Sequence, residues 1–203
     1  MENSSHASAP WLSKNAILES MVFARELKEK LEADQEGKTK GMLLTATMTE
    51  VKGGTSHNVT PKDCETTFDI RIPVDMNCKT IEQKIATLVK EISQEREVEA
   101  FYSILDETEP FEAPHNSPLV RAFTLGIMET EHSRPTLIRK TGTGDMNVLG
   151  NQWGIPVVTY GPGDPHEAHT IDEKVSVDEY LRGIEILKKT LQHLKRLHDK
   201  NIQ

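Results

Sequence analysis

The sequence has little cysteine, no long apolar run and no surplus of positive charge, and each shortage excludes something. Cysteine occurs twice in 203 residues, as Cys64 and Cys78, 14 positions apart. There is no Cys-x-x-Cys pair, so neither a zinc knuckle nor dithiol redox chemistry is expected. No apolar stretch approaches the roughly 20 residues of a membrane-spanning helix. The opening "MENSSHASAP" lacks the basic segment followed by an apolar one that marks a secretory signal. Two free thiols in a cytoplasmic protein is the resulting expectation. Acidic residues outnumber basic ones, 32 to 24, for a net charge of -8, and the basic residues are scattered. That balance argues against nucleic acid or an anionic membrane as the main partner.

What is present is periodic. From about Ser13, apolar residues at Ile17, Met21, Ala24, Leu27 and Leu31 predict a helix closed by Gly37 and Gly41. "MLLTATMTEV" (42–51) and "CETTFDIRIP" (64–73) alternate as strands, the second with Phe68, Ile70 and Ile72 on one face. Thr80 with Gln83 forms a capping pattern ahead of a stripe of Ile81, Ile85, Leu88 and Ile92. "VEAFYSIL" (98–105) predicts another strand. This order is a ferredoxin-like α+β unit whose first strand is missing.

After an acidic, proline-bearing linker (106–118), Ser117-Pro118 predicts a helix start, with Leu119, Phe123 and Ile127 or Met128 as the apolar face. A glycine loop (140–147) and a buried strand (155–160) follow. A second capping box at Ser176 and Glu179 then opens a final helix striped by Tyr180, Ile184, Leu187, Leu191 and Leu194. The expected division is residues 1–106 and 107–203, the second part resembling half of an α/β layer.

Four stretches could carry chemistry. "YGPGDPHEAHTIDEKV" (160–175) runs from a strand end into a glycine turn, the place where open α/β sheets put their sites. A histidine there, His166 or His169, could ligate a metal, with Asp172 or Glu173 orienting it; a solvated polar loop is the alternative. The spacing "PHEAH" is not the His-Glu-x-x-His of a helical zinc site, so the pair is not expected to chelate together. His6 sits among small residues before a helix, where close approach by a ligand or subunit is possible. Asn58 in "GGTSHNVTP" and Arg71 on the next strand could reach a carboxylate. Thr143 in "TGTGDMN" could hold one with backbone N–H groups, although the loop lacks the features of a P-loop.

Taken in order, these stretches resemble the co-catalytic zinc amidohydrolases that include acetylornithine deacetylase, succinyl-diaminopimelate desuccinylase, aminoacylase and carboxypeptidase G. "HASAPWLSKNAI" and "GGTSHNVTP…DIRIP" look like that family's dimerisation lid, "GTGDMN" like its Gly-Thr-Ser-Asp loop, and "GPGDPHEAHTIDE" like its terminal metal-histidine segment. Gly144 stands where the family usually has serine or a small residue, a mild departure. Within the family, "RKTGTGDMNVLG" with "YGPGDPHEAHTIDEKV" is most similar to the LysW-lysine/LysW-ornithine hydrolases.

The resemblance implies a ferredoxin-like lid joined to the C-terminal part of an α/β metallopeptidase domain. It implies His169 as a metal ligand, with Glu173 close behind. It implies His6 as the lid histidine that polarises the scissile carbonyl across a homodimer interface. Asn58, Arg71, Thr143 and Asp145 would be substrate-facing. The implied cofactor is a pair of zinc or cobalt ions, and the implied partner is an acidic LysW-type carrier bearing lysine or ornithine. The family's remaining metal donors, an early His-x-Asp and a Glu-Glu pair among them, precede the lid, and only five residues precede His6 here. The expectation is therefore a chain that is inactive alone. A non-catalytic dimerisation or carrier-binding module, or a hydrolase of another N-acyl amino acid, are the alternatives.

Overall fold

A computed structural model describes residues 4–140, 142–168 and 170–201, without the side chains of Lys40, Lys200 and Asn201. The chain divides into two compact units, Met1–Pro110 and Phe111–Gln203.

In the first unit, α1 (Ala16–Leu31) begins where the Asn15 side chain accepts from the Ile17 and Leu18 N–H groups. β1 (Thr45–Gly53) and β2 (Cys64–Arg71) form an antiparallel pair running from Thr45 opposite Arg71 to Gly53 opposite Cys64. A bulge between Met48 and Glu50 breaks the register. α2 (Cys78–Arg96) follows. Leu27 and Leu31 of α1, Leu44 and Ala46, and Ile81, Ile85, Leu88, Val89 and Ile92 of α2 form one core, with Phe68, Ile70 and Ile72 packed against it. The expected stripe of α2 is buried throughout, and that of α1 is buried at Ala24, Leu27 and Leu31 and half-buried at Ile17 and Met21. Arg96 donates to Glu19 (2.6 Å) and Glu26 (3.3 Å), tying the end of α2 to α1.

Two expectations fail in this unit. α2 starts two residues before Thr80, at Cys78: Asn77 is the cap, and the Thr80 N–H donates to its Oδ1 at 2.9 Å. Residues 98–105 form no strand, and Phe101 is 89% exposed. In a ferredoxin-like unit the last strand pairs with the first. No first strand stands among the described residues, so this segment has no ladder to join.

In the second unit, α3 (Pro118–Glu131) is capped by Ser117 as expected. α4 (Asp145–Trp153) and α5 (Val177–Asn201) follow. The face that α3 buries is Val120, Ala122 and Gly126 rather than the larger residues, and Met128 is exposed. The reason is close approach to α5. A Cβ on Gly126 would lie 2.7 Å from Thr190 Oγ1 and 3.0 Å from the Ile186 carbonyl oxygen. α5 correspondingly buries Gly183, Ile186, Thr190 and His193. Of the stripe expected to be buried, Tyr180, Ile184, Leu187 and Leu191 are exposed and Leu194 is half-buried. His193 Nε2 pairs with Glu129 at 2.9 Å on the same helix contact.

The segment 155–160 takes no regular secondary structure, so the expected buried strand is not formed. α5 does begin after Ser176. The Glu179 carboxylate, however, accepts from the Gly163 N–H at 3.0 Å instead of completing a reciprocal cap.

Candidate functional site

The segment Ser5–Ala7 lies antiparallel to Asn58–Thr60. The Ala7 N–H donates to the Asn58 carbonyl (2.9 Å), the Thr60 N–H to the Ser5 carbonyl (2.8 Å), and His6 bridges Val59. Ser5 Oγ lies 2.7 Å from Ser13 Oγ and 3.0 Å from Thr60 Oγ1, and Thr60 is buried. These hydroxyls anchor the two strands of chain to each other and to the approach to α1. The outcome is that His6 and Asn58, 52 positions apart, become neighbours in one pairing.

Both side chains are held locally. His6 Nδ1 lies 2.8 Å from Ser8 Oγ and 3.1 Å from the Ser8 amide nitrogen, and the imidazole is exposed. The Ser56 hydroxyl donates to Asn58 Oδ1 at 2.8 Å, which leaves the NH2 as the half-buried amide's donor. In the bridge His6 stands directly opposite Val59, so Asn58, one residue along, turns its side chain to the other face, and the exposed imidazole is the donor that suits a carbonyl or carboxylate oxygen. The motifs picked out His6 and Asn58; the serines that hold them carried no signal beyond being small and polar.

Arg71 does not join them. It stands opposite Thr45, at the end of β2 away from the 54–63 loop. From Cys64 to Arg71 the strand covers roughly 23 Å at about 3.3 Å per residue. Arg71 is also engaged by Asp69 at 2.7 Å. One copy of the chain therefore does not bring Asn58 and Arg71 to a single small carboxylate.

In the second unit, Asp145 is the first residue of α4, and Thr143 and Asp145 are exposed. The loop is fixed by the buried Asn147, whose Oδ1 accepts from the Gly144 N–H at 3.2 Å. The Phe111 ring packs against α4 so tightly that a Cβ on Gly150 would lie 2.2 Å from Cζ. His169, the expected metal ligand, lies outside the described residues. His166 pairs with Asp164 at 2.8 Å, and its backbone N–H and imidazole hold the Asp164 carboxyl below its ordinary range.

Among the described residues, one group of three could hold a metal: Cys78, Glu107 and Glu109, in the first unit. Its chemistry argues for a helix cap. The Cys78 N–H, at the start of α2, donates to Glu109 Oε2 at 3.1 Å, where a carboxylate suits the positive end of the helix dipole. Burial, then the charges of Glu109 and Glu107, push the thiol up to about 11, against the thiolate that a metal requires. No such group forms in the second unit among the described residues, so they do not by themselves fit a two-metal centre.

The profile of the peptidase dimerisation domain of M20 enzymes matches residues 2–97. This part of the chain is an M20 peptidase dimerisation domain. The LysW-lysine/LysW-ornithine hydrolase of Saccharolobus islandicus is 33% identical over 146 residues, 72% of this chain and 39% of the relative. A Thermococcus kodakarensis protein provisionally given the same hydrolase name is 45% identical over 94 residues, 46% of this chain and 27% of its own length. The chain thus spans less than half the length of these relatives.

Among solved structures, a tripeptidase from Staphylococcus aureus superposes with a TM-score of 0.73 at 18% identity, over 97% of this chain and 50% of that one. An M20 family metallo-carboxypeptidase from Sulfolobus solfataricus gives 0.71 at 17% identity, over 94% of this chain and 55% of that one. At such identities the likeness is one of fold.

Proposed function

We propose that the chain forms the dimerisation lid and the C-terminal part of the catalytic domain of a metal-dependent amide hydrolase. Its substrate would be lysine or ornithine joined to an acidic LysW-type carrier protein. The observation that carries this reading is the pairing of Ser5–Ala7 with Asn58–Thr60, which fixes the backbone of His6 and leaves its imidazole exposed in a dimerisation domain. An imidazole N–H placed at the scissile carbonyl stabilises the oxyanion, a charge that develops towards the transition state. A lid that dimerises delivers that donor to the partner subunit's substrate. The names of the curated relatives supply the substrate class.

In this reading Asn58 is a further substrate-binding residue of the lid, and Thr143 and Asp145 line the substrate's carboxylate end. Arg71, at the far end of β2, meets a different part of a macromolecular substrate. His169 is the residue assigned to the metal, for which zinc and cobalt both suit a histidine–carboxylate environment. The remaining metal donors are assigned to sequence outside this chain.

That no group of three metal donors converges in the second unit among the described residues favours one second reading, a non-catalytic module that binds the carrier. Titration of the chain with lysine-bearing LysW, alongside an assay of lysine release with zinc or cobalt, tests both. Saturable binding weakened about tenfold by His6→Gln or Asn58→Ala is expected, without release above background. No binding, or binding indifferent to both substitutions, defeats the assignment of this surface. Steady release by the purified chain defeats the assignment of the missing donors elsewhere.

A further inference from the structure

His6 is held at one of its ring nitrogens. Nδ1 receives the Ser8 backbone N–H at 3.1 Å and lies 2.8 Å from Ser8 Oγ. A backbone N–H can only donate, so Nδ1 must offer its lone pair, and the single proton of a neutral imidazole then resides on Nε2. Nε2 has no partner among the described residues, and the imidazole is exposed.

We infer that Ser8 is a positioning residue: through its backbone N–H it fixes His6 as the Nε2–H tautomer, so that the free nitrogen is a hydrogen-bond donor. The inference rests on the reading of His6 as the group that polarises a carbonyl, because there the tautomer decides the outcome. An Nδ1–H imidazole would turn a lone pair at Nε2 towards the carbonyl oxygen and repel it. The Nε2–H form donates to that oxygen and strengthens as charge grows on it.

The pairing of Ser5–Ala7 with Asn58–Thr60 fixes the backbone on the N-terminal side of the ring. The Ala9 N–H donates to the His6 carbonyl at 2.8 Å and closes the turn that brings Ser8 round to Nδ1. The imidazole is thus oriented by the turn it sits on, with no carboxylate needed behind it. The two contacts from Ser8 are separable, since Ser8→Ala removes the hydroxyl and keeps the N–H, whereas Ser8→Pro removes the N–H as well.

The test is a long-range proton–nitrogen NMR spectrum of the whole 203-residue chain, labelled with 15N, above the pH range in which imidazole titrates. The His6 signals are assigned by their loss in His6→Gln. The expected spectrum has Nε2 at the shift of a proton-bearing nitrogen, Nδ1 at that of a bare one, and a coupling across the hydrogen bond from the Ser8 amide nitrogen to Nδ1. Ser8→Ala should preserve this pattern. Ser8→Pro should abolish the coupling and move the two nitrogen shifts towards each other.

A proton on Nδ1, or averaged shifts in the unsubstituted chain, overturns the inference. So does an unchanged pattern in a folded Ser8→Pro protein. If Ser8→Pro does not fold, the unsubstituted and Ser8→Ala spectra still decide. These spectra need neither substrate nor metal, so they can fail while the carrier titration succeeds, and the reverse.

Discussion

Glu32 shows how one side chain closes the first unit. It stands just after α1, and its Oε1 accepts from the Ala46 N–H at 2.7 Å while pairing with Lys28. Burial opposes its charge, but the Ala46 N–H and Lys28 together outweigh burial and hold the carboxyl below its ordinary range. A carboxyl whose folded pKa is depressed adds stability above its unfolded pKa, about 4.3, and loses it as pH falls through the folded value. Glu32→Gln is therefore expected to cost about 1 kcal/mol at neutral pH. Urea unfolding of both proteins at pH 7 and pH 3 checks this, because the gap between them should close at the lower pH. A gap independent of pH would assign the effect to packing instead of charge.

At the scale of elements, α2 makes a sharp case because two residues compete for its start. The Asn77 side chain accepts from the third helical N–H, whereas Thr80 supplies that N–H and leaves its own side chain exposed. Asn77→Ala should cost about 1 kcal/mol and Thr80→Ala only a few tenths, as read by thermal or urea unfolding. The reverse order would restore Thr80 as the cap. The first two helices were legible in the sequence because a 3.6-residue stripe reports burial directly, as Ile81, Ile85, Leu88 and Ile92 do, whereas α4 was not anticipated and its start fell in the expected glycine loop. Residues 98–105 were not, because alternation signals a strand only where a neighbour exists to complete the ladder.

The buried face of α5 was misread for a different reason. Contact with α3 is governed by Gly126 and Thr190, small residues that hydropathy does not weight. At the site, motif residues could be named from the sequence, but their meeting could not. His6 joins Asn58 through a pairing 52 positions apart, while Arg71 is carried to the other end of β2 by the length of the strand.

Across the whole molecule, apolar burial is shared unequally between the two units. The first has a contiguous core that includes Leu27, Leu31, Leu44, Ile81, Ile85 and Ile92. In the second, the buried apolar residues among those described are Val120, Ala122 and Ile186, while Tyr180, Leu181, Ile184, Leu187 and Leu191 of α5 remain uncovered. At about 25 cal/mol per Å² of apolar surface removed from water, that contrast makes the second unit the weaker one. Amides of α3 and α5 should exchange with solvent deuterium well before those of α1 and α2. Exposed apolar stripes also bind hydrophobic dyes. Substituting Ile184, Leu187 and Leu191 with lysine or glutamate should remove most dye fluorescence from the chain while changing its unfolding free energy by only about 0.5 kcal/mol for each residue. Protection of α5 equal to that of α2, or a loss of several kcal/mol in the substituted protein, would mean that this face is already covered in solution, and the first place to look for the cover would be a second copy of the chain.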